Sequence, residues 1–154
     1  MEIVLLIGVQ ASGKTTFFRD RFSNTHIRIS LDMLKTRTRE SILMKACIAA
    51  QQSFVIDNTN VTRNQRSPYF ELAKQYGIPV IGYFFQSEVK DILARNKQRT
   101  GKAVVPVPGI FGTLKKLQPP TKEEGFSELY SVKIEEPNTF TVKEFITYAK
   151  PQSS

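Results

Sequence analysis

The segment Gly8-Val9-Gln10-Ala11-Ser12-Gly13-Lys14-Thr15 has the residue types and spacing of a phosphate-binding loop: glycine, four free positions, then Gly-Lys-Thr. Glycines let successive backbone N–H groups curl around an anion, and a helix starting behind them adds partial positive charge. In that chemistry Lys14 reaches the β- and γ-phosphates of ATP and the Thr15 hydroxyl sits on Mg²⁺. Gly8, Gln10, Ala11, Ser12, Gly13 and Thr16 complete the expected wrapping of the donor. A transfer reaction also needs a base and cations. Asp32 ends the run Ile29-Ser30-Leu31-Asp32 and is the candidate general base for an attacking hydroxyl; its competing role is a helix N-cap before Met33-Leu34-Lys35. Asp57 ends Phe54-Val55-Ile56-Asp57, where it can hold Mg²⁺ through water, orient the acceptor or cap the next turn. Arg95 and Arg99 are four apart ahead of a Gly/Pro segment, which suits a lid with one arginine on the transition-state charge; a solvated helix end is the plainer reading. Lys35, Arg37 and Arg39 follow Asp32 and suit acceptor phosphates or ordinary surface charge.

These residues need a scaffold that gathers strand ends. Apolar runs alternate with helical patterns, the signature of an α/β domain with a mainly parallel sheet flanked by helices. Strands are expected at Glu2–Ile7, His26–Ile29, Phe54–Asp57 and Val80–Phe85 and near Leu129–Ile134. Helices are expected at about 14–23, 38–52, 63–76, 88–99 and 109–118. Ser87-Glu88 reads as an N-cap, and Gly77-Ile78-Pro79 as a helix stop followed by a strand. Gly101–Gly112, with its glycines and prolines, reads as a mobile segment within a lid at about 95–112. Pro119-Pro120-Thr121 marks another break, and a tail from Pro137 is expected to carry a short helix at Val142–Ala149. Ligands in open α/β sheets lie at the strand ends where Asp32 and Asp57 fall.

The 154 residues suit one domain, with 40% apolar and 23% charged content. The apolar run at Ile3–Ile7 is far short of a membrane span and has no signal-peptide shape, so a cytoplasmic location is expected. The single Cys47 reads as a core filler, and the single His26 lacks partners for a transition-metal site. The net charge of +8 exceeds what a nucleotide donor needs and points to a polyanionic partner such as single-stranded or end-exposed nucleic acid. Tyr69, Phe70, Tyr76, Tyr83, Phe84 and Phe85 look like core, leaving Phe111 as the stacking candidate. Three absences narrow the class. Asn96-Lys97 is followed by Gln98-Arg99 rather than completing a guanine reader. Asp57 is followed by Asn58 rather than the glutamate of a motor ATPase, and no dinucleotide fingerprint is present. A kinase remains.

The residues resemble the 5′-hydroxyl polynucleotide kinases, the P-loop kinase domain of end-healing DNA and RNA repair enzymes. The resemblance runs from Ile3 to about Ile134. It rests on Gly8–Thr15, Asp32, Val55-Ile56-Asp57-Asn58-Thr59-Asn60, Arg95–Pro106, and Pro119-Pro120-Thr121-Lys122-Glu123-Glu124-Gly125-Phe126-Ser127. It implies a P-loop NTPase fold of the kinase kind and an ATP donor with Mg²⁺. Lys14 and Thr15 would hold phosphates and metal, Asp32 would activate the 5′-hydroxyl, and Asp57 and Asn58 would lie by the acceptor. Arg99 would clamp the phosphoryl group from the lid and Arg95 would lie near the nucleotide. Such relatives often carry a 3′-phosphatase or ligase domain, so a stand-alone kinase or one with separate phosphatase or ligase partners is expected. Where the family has Asn-Arg-Asp this chain has Ser30-Leu31-Asp32, and Lys35 or Arg28 is left to supply the missing cation. Two other readings stay open: a P-loop kinase of a small metabolite or antibiotic hydroxyl, and a nucleotide-gated binding module without turnover.

Overall fold

The strand β1 (Ile3–Ile7) is buried along its whole length, so its five apolar side chains have no solvent face. Such a strand fits only the middle of a sheet covered on both sides. The computed structural model, which describes residues 1–136 and 139–146, places it there. Among the described residues one six-stranded sheet has the order β2-β3-β1-β4-β5-β6. Strands β2 (Ile27–Ile29), β3 (Phe54–Asp57), β4 (Val80–Phe85) and β5 (Glu128–Glu136) run parallel to β1, and β6 (Thr139–Glu144) returns antiparallel along β5. The helices are α1 (Lys14–Arg21), α2 (Leu31–Leu34), α3 (Arg37–Ala49), α4 (Arg63–Tyr76), α5 (Val89–Gln98) and α6 (Val107–Lys116). The mainly parallel, helix-flanked sheet expected from the alternation is present.

Residues alternating along β1 feed two cores. Ile3, Leu5 and Ile7 pack with Met44, Cys47, Tyr69 and Ala73 on the α3/α4 face. Val4 and Leu6 pack with Phe17, Phe22 and Phe85 on the α1 face. Cys47 is thus the core filler its neighbours suggested. Tyr76 is not core: it is exposed at the end of α4. Gly82 lets β4 pass beneath the Phe126 ring, which a Cβ there would strike.

Four expectations need correction. Gly101–Gly112 is not a loose segment: Gly101–Ala103 forms a 3-10 turn and Val107 starts α6. Ile110 is fully buried against Val9, Val61 and Ile92, with Leu114 and Leu117 beside it, and that apolar stripe outweighs the glycines. The tail does not begin a helix at Val142: Phe140 and Val142 alternate as strand residues and pack on the α1 core, while 147–149 lie outside the described residues. Arg99 is not on the helical face of Arg95, because α5 ends at Gln98 and Arg99 is extended (φ −73°, ψ 154°). At the start of α5 the cap position is Glu88, with no side-chain cap bond.

One buried ion pair ties the chain's far segments together. The Arg66 guanidinium, fully buried, donates to both carboxylate oxygens of Glu124 at 2.8 and 3.0 Å and to the Asn60 carbonyl at 2.8 Å. Glu124 also accepts from Thr121 N, closing a capping box. Removing one partner of such a pair strands the other charge in the interior. Glu124→Ala is expected to cost about 3–5 kcal/mol, read as a lower denaturation midpoint in urea.

Candidate active site

The phosphate loop joins β1 to α1 at the centre of the sheet, where the chain crosses first to β2 and β3 and later to β4 and β5. That is the switch point at which ligands of such sheets lie. A cleft of about 530 Å³ opens there. It is lined by Gln10, Ala11, Ser12, Gly13, Lys14, Thr15 and Thr16 from the loop, and by Asp32, Lys35, Asp57, Asn58 and Arg99 from elsewhere. Sequence reasoning therefore selected most of the cleft. It gave Thr59, Ala103 and Val105 no role of their own, and it weighed Arg28 only as a substitute cation.

The loop is built to receive an anion. Gly13 adopts φ 95°, a left-handed conformation that favours glycine, and serves as the N-cap of α1 with no side-chain cap. The Ser12 hydroxyl is buried without a hydrogen-bond partner among the described residues. Lys14 Nζ donates to the carbonyls of Gly8 and Val9, both at 2.8 Å, so the lysine folds back on its own loop. Burial is the main reason its pKa falls from 10.5 to about 8; Arg99 lowers it further, while Asp57 and Asp32 oppose the fall. Gly8 does not line the cleft; its N–H donates to Thr59 O at 2.9 Å, and a Cβ there would crowd Ser12 and Phe85.

Arg95 also lies off the cleft lining. Its Nη1 donates to the Ala11 carbonyl at 3.1 Å, and Ala11 holds φ 61°, unusual for a residue with a Cβ. Arg95 thus holds the strained end of the loop. Gln10 Nε2 donates to Thr113 Oγ1 at 3.1 Å, which joins α6 to the loop. Arg99 Nη1 donates to the Ala103 carbonyl at 3.1 Å, within the cleft wall. Asn96, buried, bonds both the N–H and the carbonyl of Val105, and so closes the segment between α5 and α6 back on itself.

Asp57 is buried, and its Oδ2 accepts from Thr15 Oγ1 at 3.0 Å and from Arg28 Nε at 2.8 Å. A hydroxyl and a carboxylate side by side at a phosphate loop are hard oxygen donors of the kind hydrated Mg²⁺ takes with a nucleotide. Of the roles open to Asp57, this contact favours the metal side. Asn58, expected near the acceptor, spends its amide on the protein: Oδ1 accepts from Leu31 N at 2.9 Å, and Nδ2 donates to Glu40 and Tyr69. Asp32 is not the N-cap of its helix, since Ser30 takes that position and Asp32 sits in the first turn of α2. Lys35 closes α2 at φ 72°, ψ −33°. Phe111 is exposed on α6 and is not part of the cleft lining. Arg28 lies on the edge strand β2, where a charge can face solvent or a counter-charge, and here it meets Asp57.

Residues 3–117 match the family described as AAA domain. The chain is 31% identical over 140 residues to the bifunctional polynucleotide phosphatase/kinase of Schizosaccharomyces pombe, covering 85% of this chain and 33% of the relative. The chain therefore spans about a third of the curated relative's length. Among solved structures it resembles a sugar kinase from Janibacter sp. HTCC2649 (TM-score 0.69, 18% identity, 90% of this chain and 88% of that one). It also resembles a gluconokinase from Sinorhizobium meliloti 1021 (TM-score 0.61, 17% identity, 89% and 85%). No helix among the described residues is long and apolar enough to cross a membrane.

Lys14 gives a prediction with a definite sign. Below pH about 8 its ammonium is charged in both folded and unfolded chains, and the burial cost is carried in full. Between about 8 and 10.5 the folded chain releases the proton first, so stability rises with pH across that window. A bound polyphosphate restores the proton. ATP binding at pH 8.5 should therefore take up protons, seen as a calorimetric enthalpy that varies with the ionisation enthalpy of the buffer, and should not do so at pH 6.5. Lys14→Met should lose ATP binding together with the rise of stability between pH about 8 and 10.5. The fold, the loop geometry and the match over residues 3–117 place this chain in the AAA-domain family as a P-loop, kinase-like domain.

Proposed function

We propose that this domain transfers the γ-phosphoryl group of ATP to the 5′-hydroxyl of a polynucleotide. The observation that carries the reading is the convergence of Lys14, Asp32 and Arg99 on one cleft beside the Thr15–Asp57 pair. Asp32 takes the proton of the acceptor hydroxyl, whose oxygen attacks the γ-phosphorus. The bond to the β-phosphate oxygen breaks and ADP leaves with that electron pair. Lys14 and Arg99 bear on the negative charge spread over the transferring group. Thr15 and Asp57 would hold Mg²⁺, which when bound neutralises charge on the β- and γ-oxygens. Lys35, on the cleft wall near Asp32 in sequence, is the acceptor-side cation in place of the arginine that Leu31 displaces.

Three further points support a nucleic-acid acceptor: the net charge of +8, the string Ile56-Asp57-Asn58-Thr59-Asn60, and the relative named for polynucleotide phosphatase/kinase activity. End healing in the cytoplasm is the setting that reading implies. A small-molecule acceptor is favoured by one observation, the leucine that stands beside Asp32 where the resembled family has arginine.

Asp32→Asn should lower transfer to a 5′-hydroxyl oligonucleotide by about 10²–10⁴ with ATP affinity nearly intact; unchanged turnover would remove Asp32 from the mechanism. Arg99→Ala should lower kcat with little change in KM for ATP, whereas a pure KM effect would make it a binding residue. Affinity for a single strand should fall steeply with salt, as counterion release requires.

A further inference from the structure

The turn that carries Asp32 is poorly self-supporting. Helix α2 has four residues, one turn, too short to hold its shape by helix propagation. Its N-cap Ser30 makes no side-chain cap bond, and the Ser30 hydroxyl is buried without a partner among the described residues. Its end at Lys35 sits at positive φ in a residue with a Cβ. Something outside the turn must hold it.

That anchor is the Asn58 side chain, which fills the cap role from a different loop. Only its oxygen can accept from Leu31 N–H, and only its NH₂ can donate to the Glu40 carboxylate, so the two partners fix the amide's orientation between them. Glu40 Oε2 accepts from Asn58 Nδ2 at 3.1 Å and from the Tyr69 hydroxyl at 3.0 Å. The Tyr69 oxygen accepts from Asn58 Nδ2 at 3.2 Å and from Arg37 Nη1 at 3.0 Å. Arg37 Nη1 also reaches Glu40 Oε1 at 3.0 Å. Glu40 and Tyr69 are both buried, and burial, with the nearby Glu40 charge second, pushes the phenol up to about 12, which keeps it a donor. A buried carboxylate that accepts from three side chains at once has little freedom to move.

We propose that Glu40 and Tyr69 are positioning residues, which lock Asn58 so that it clasps Leu31 N–H and fixes the Asp32 turn against the cleft. The placement of the turn follows from these contacts alone; its consequence for turnover rests on the phosphotransfer reading above. Neither residue lines the cleft, so neither touches the donor there.

The test is amide hydrogen exchange at Leu31, followed by NMR, in the full chain and in Tyr69→Phe and Glu40→Gln. Leu31 should exchange about tenfold faster in both variants, with the amides of β1 and β3 unchanged. Tyr69→Phe removes only the hydroxyl, so it decides the matter even if the buried Glu40→Gln folds poorly. Equal Leu31 exchange in wild type and Tyr69→Phe would overturn the proposal. In parallel, kcat for the 5′-hydroxyl oligonucleotide should fall about tenfold in Tyr69→Phe with KM and affinity for ATP unchanged. Faster Leu31 exchange with no oligonucleotide turnover even in wild type would uphold the positioning and refute the acceptor instead. Faster exchange with an unchanged kcat would overturn the link to turnover.

Discussion

The clasp of Lys14 Nζ by the carbonyls of Gly8 and Val9 is the constraint around which the rest of the site is arranged. A buried ammonium is costly unless paired, and here it is met by two carbonyl dipoles and the charge of Asp57. The loop that supplies those carbonyls is held from three sides. Thr59 receives Gly8 N–H, Arg95 grips the Ala11 carbonyl, and Thr113 of α6 takes the Gln10 amide. The first contact comes from the connection between β3 and β4, and the other two from α5 and α6, both between β4 and β5.

Asp57 extends that arrangement to the other half of the cleft. One oxygen serves both Thr15 and Arg28, which links the start of α1 to the second strand of the sheet. The next residue, Asn58, holds the backbone before Asp32. Two residues further, Asn60 offers its carbonyl to Arg66, whose partner Glu124 stands just before β5. The string Asp57-Asn58-Thr59-Asn60 is therefore a sequence of joints: to Thr15 and Arg28, to Leu31, to Gly8 and to Arg66. Its four polar side chains and carbonyls are spent on four different segments, which explains why so many polar residues sit together at a buried strand end.

Much of this was legible in the sequence, for physical reasons that differ by element. β1, β3 and β4 are continuous apolar runs, and α4 ends on a Gly77 stop, so their limits were read closely. The phosphate loop was legible because its chemistry demands fixed types at fixed spacing. Helix α6 was not read at its start because Pro108, Gly109 and Gly112 resemble loop punctuation, and only the buried stripe through Ile110 shows why they are tolerated. β6 was missed although Thr139, Phe140, Thr141 and Val142 favour a strand: the alternation that packs Phe140 and Val142 on the α1 core was passed over. The pairings of Asn58 with Leu31, and of Glu40 with Tyr69, join residues far apart in the chain. No spacing rule exposes contacts of that kind.

The most direct test of the account is transfer of labelled γ-phosphate from ATP, with Mg²⁺, to short RNA and DNA strands bearing a 5′-hydroxyl. Matched strands already 5′-phosphorylated, and gluconate and other sugars, serve as competing acceptors. The account predicts label on the 5′-hydroxyl strands alone. Label on a sugar, or none on any strand from protein that binds ATP, would contradict it.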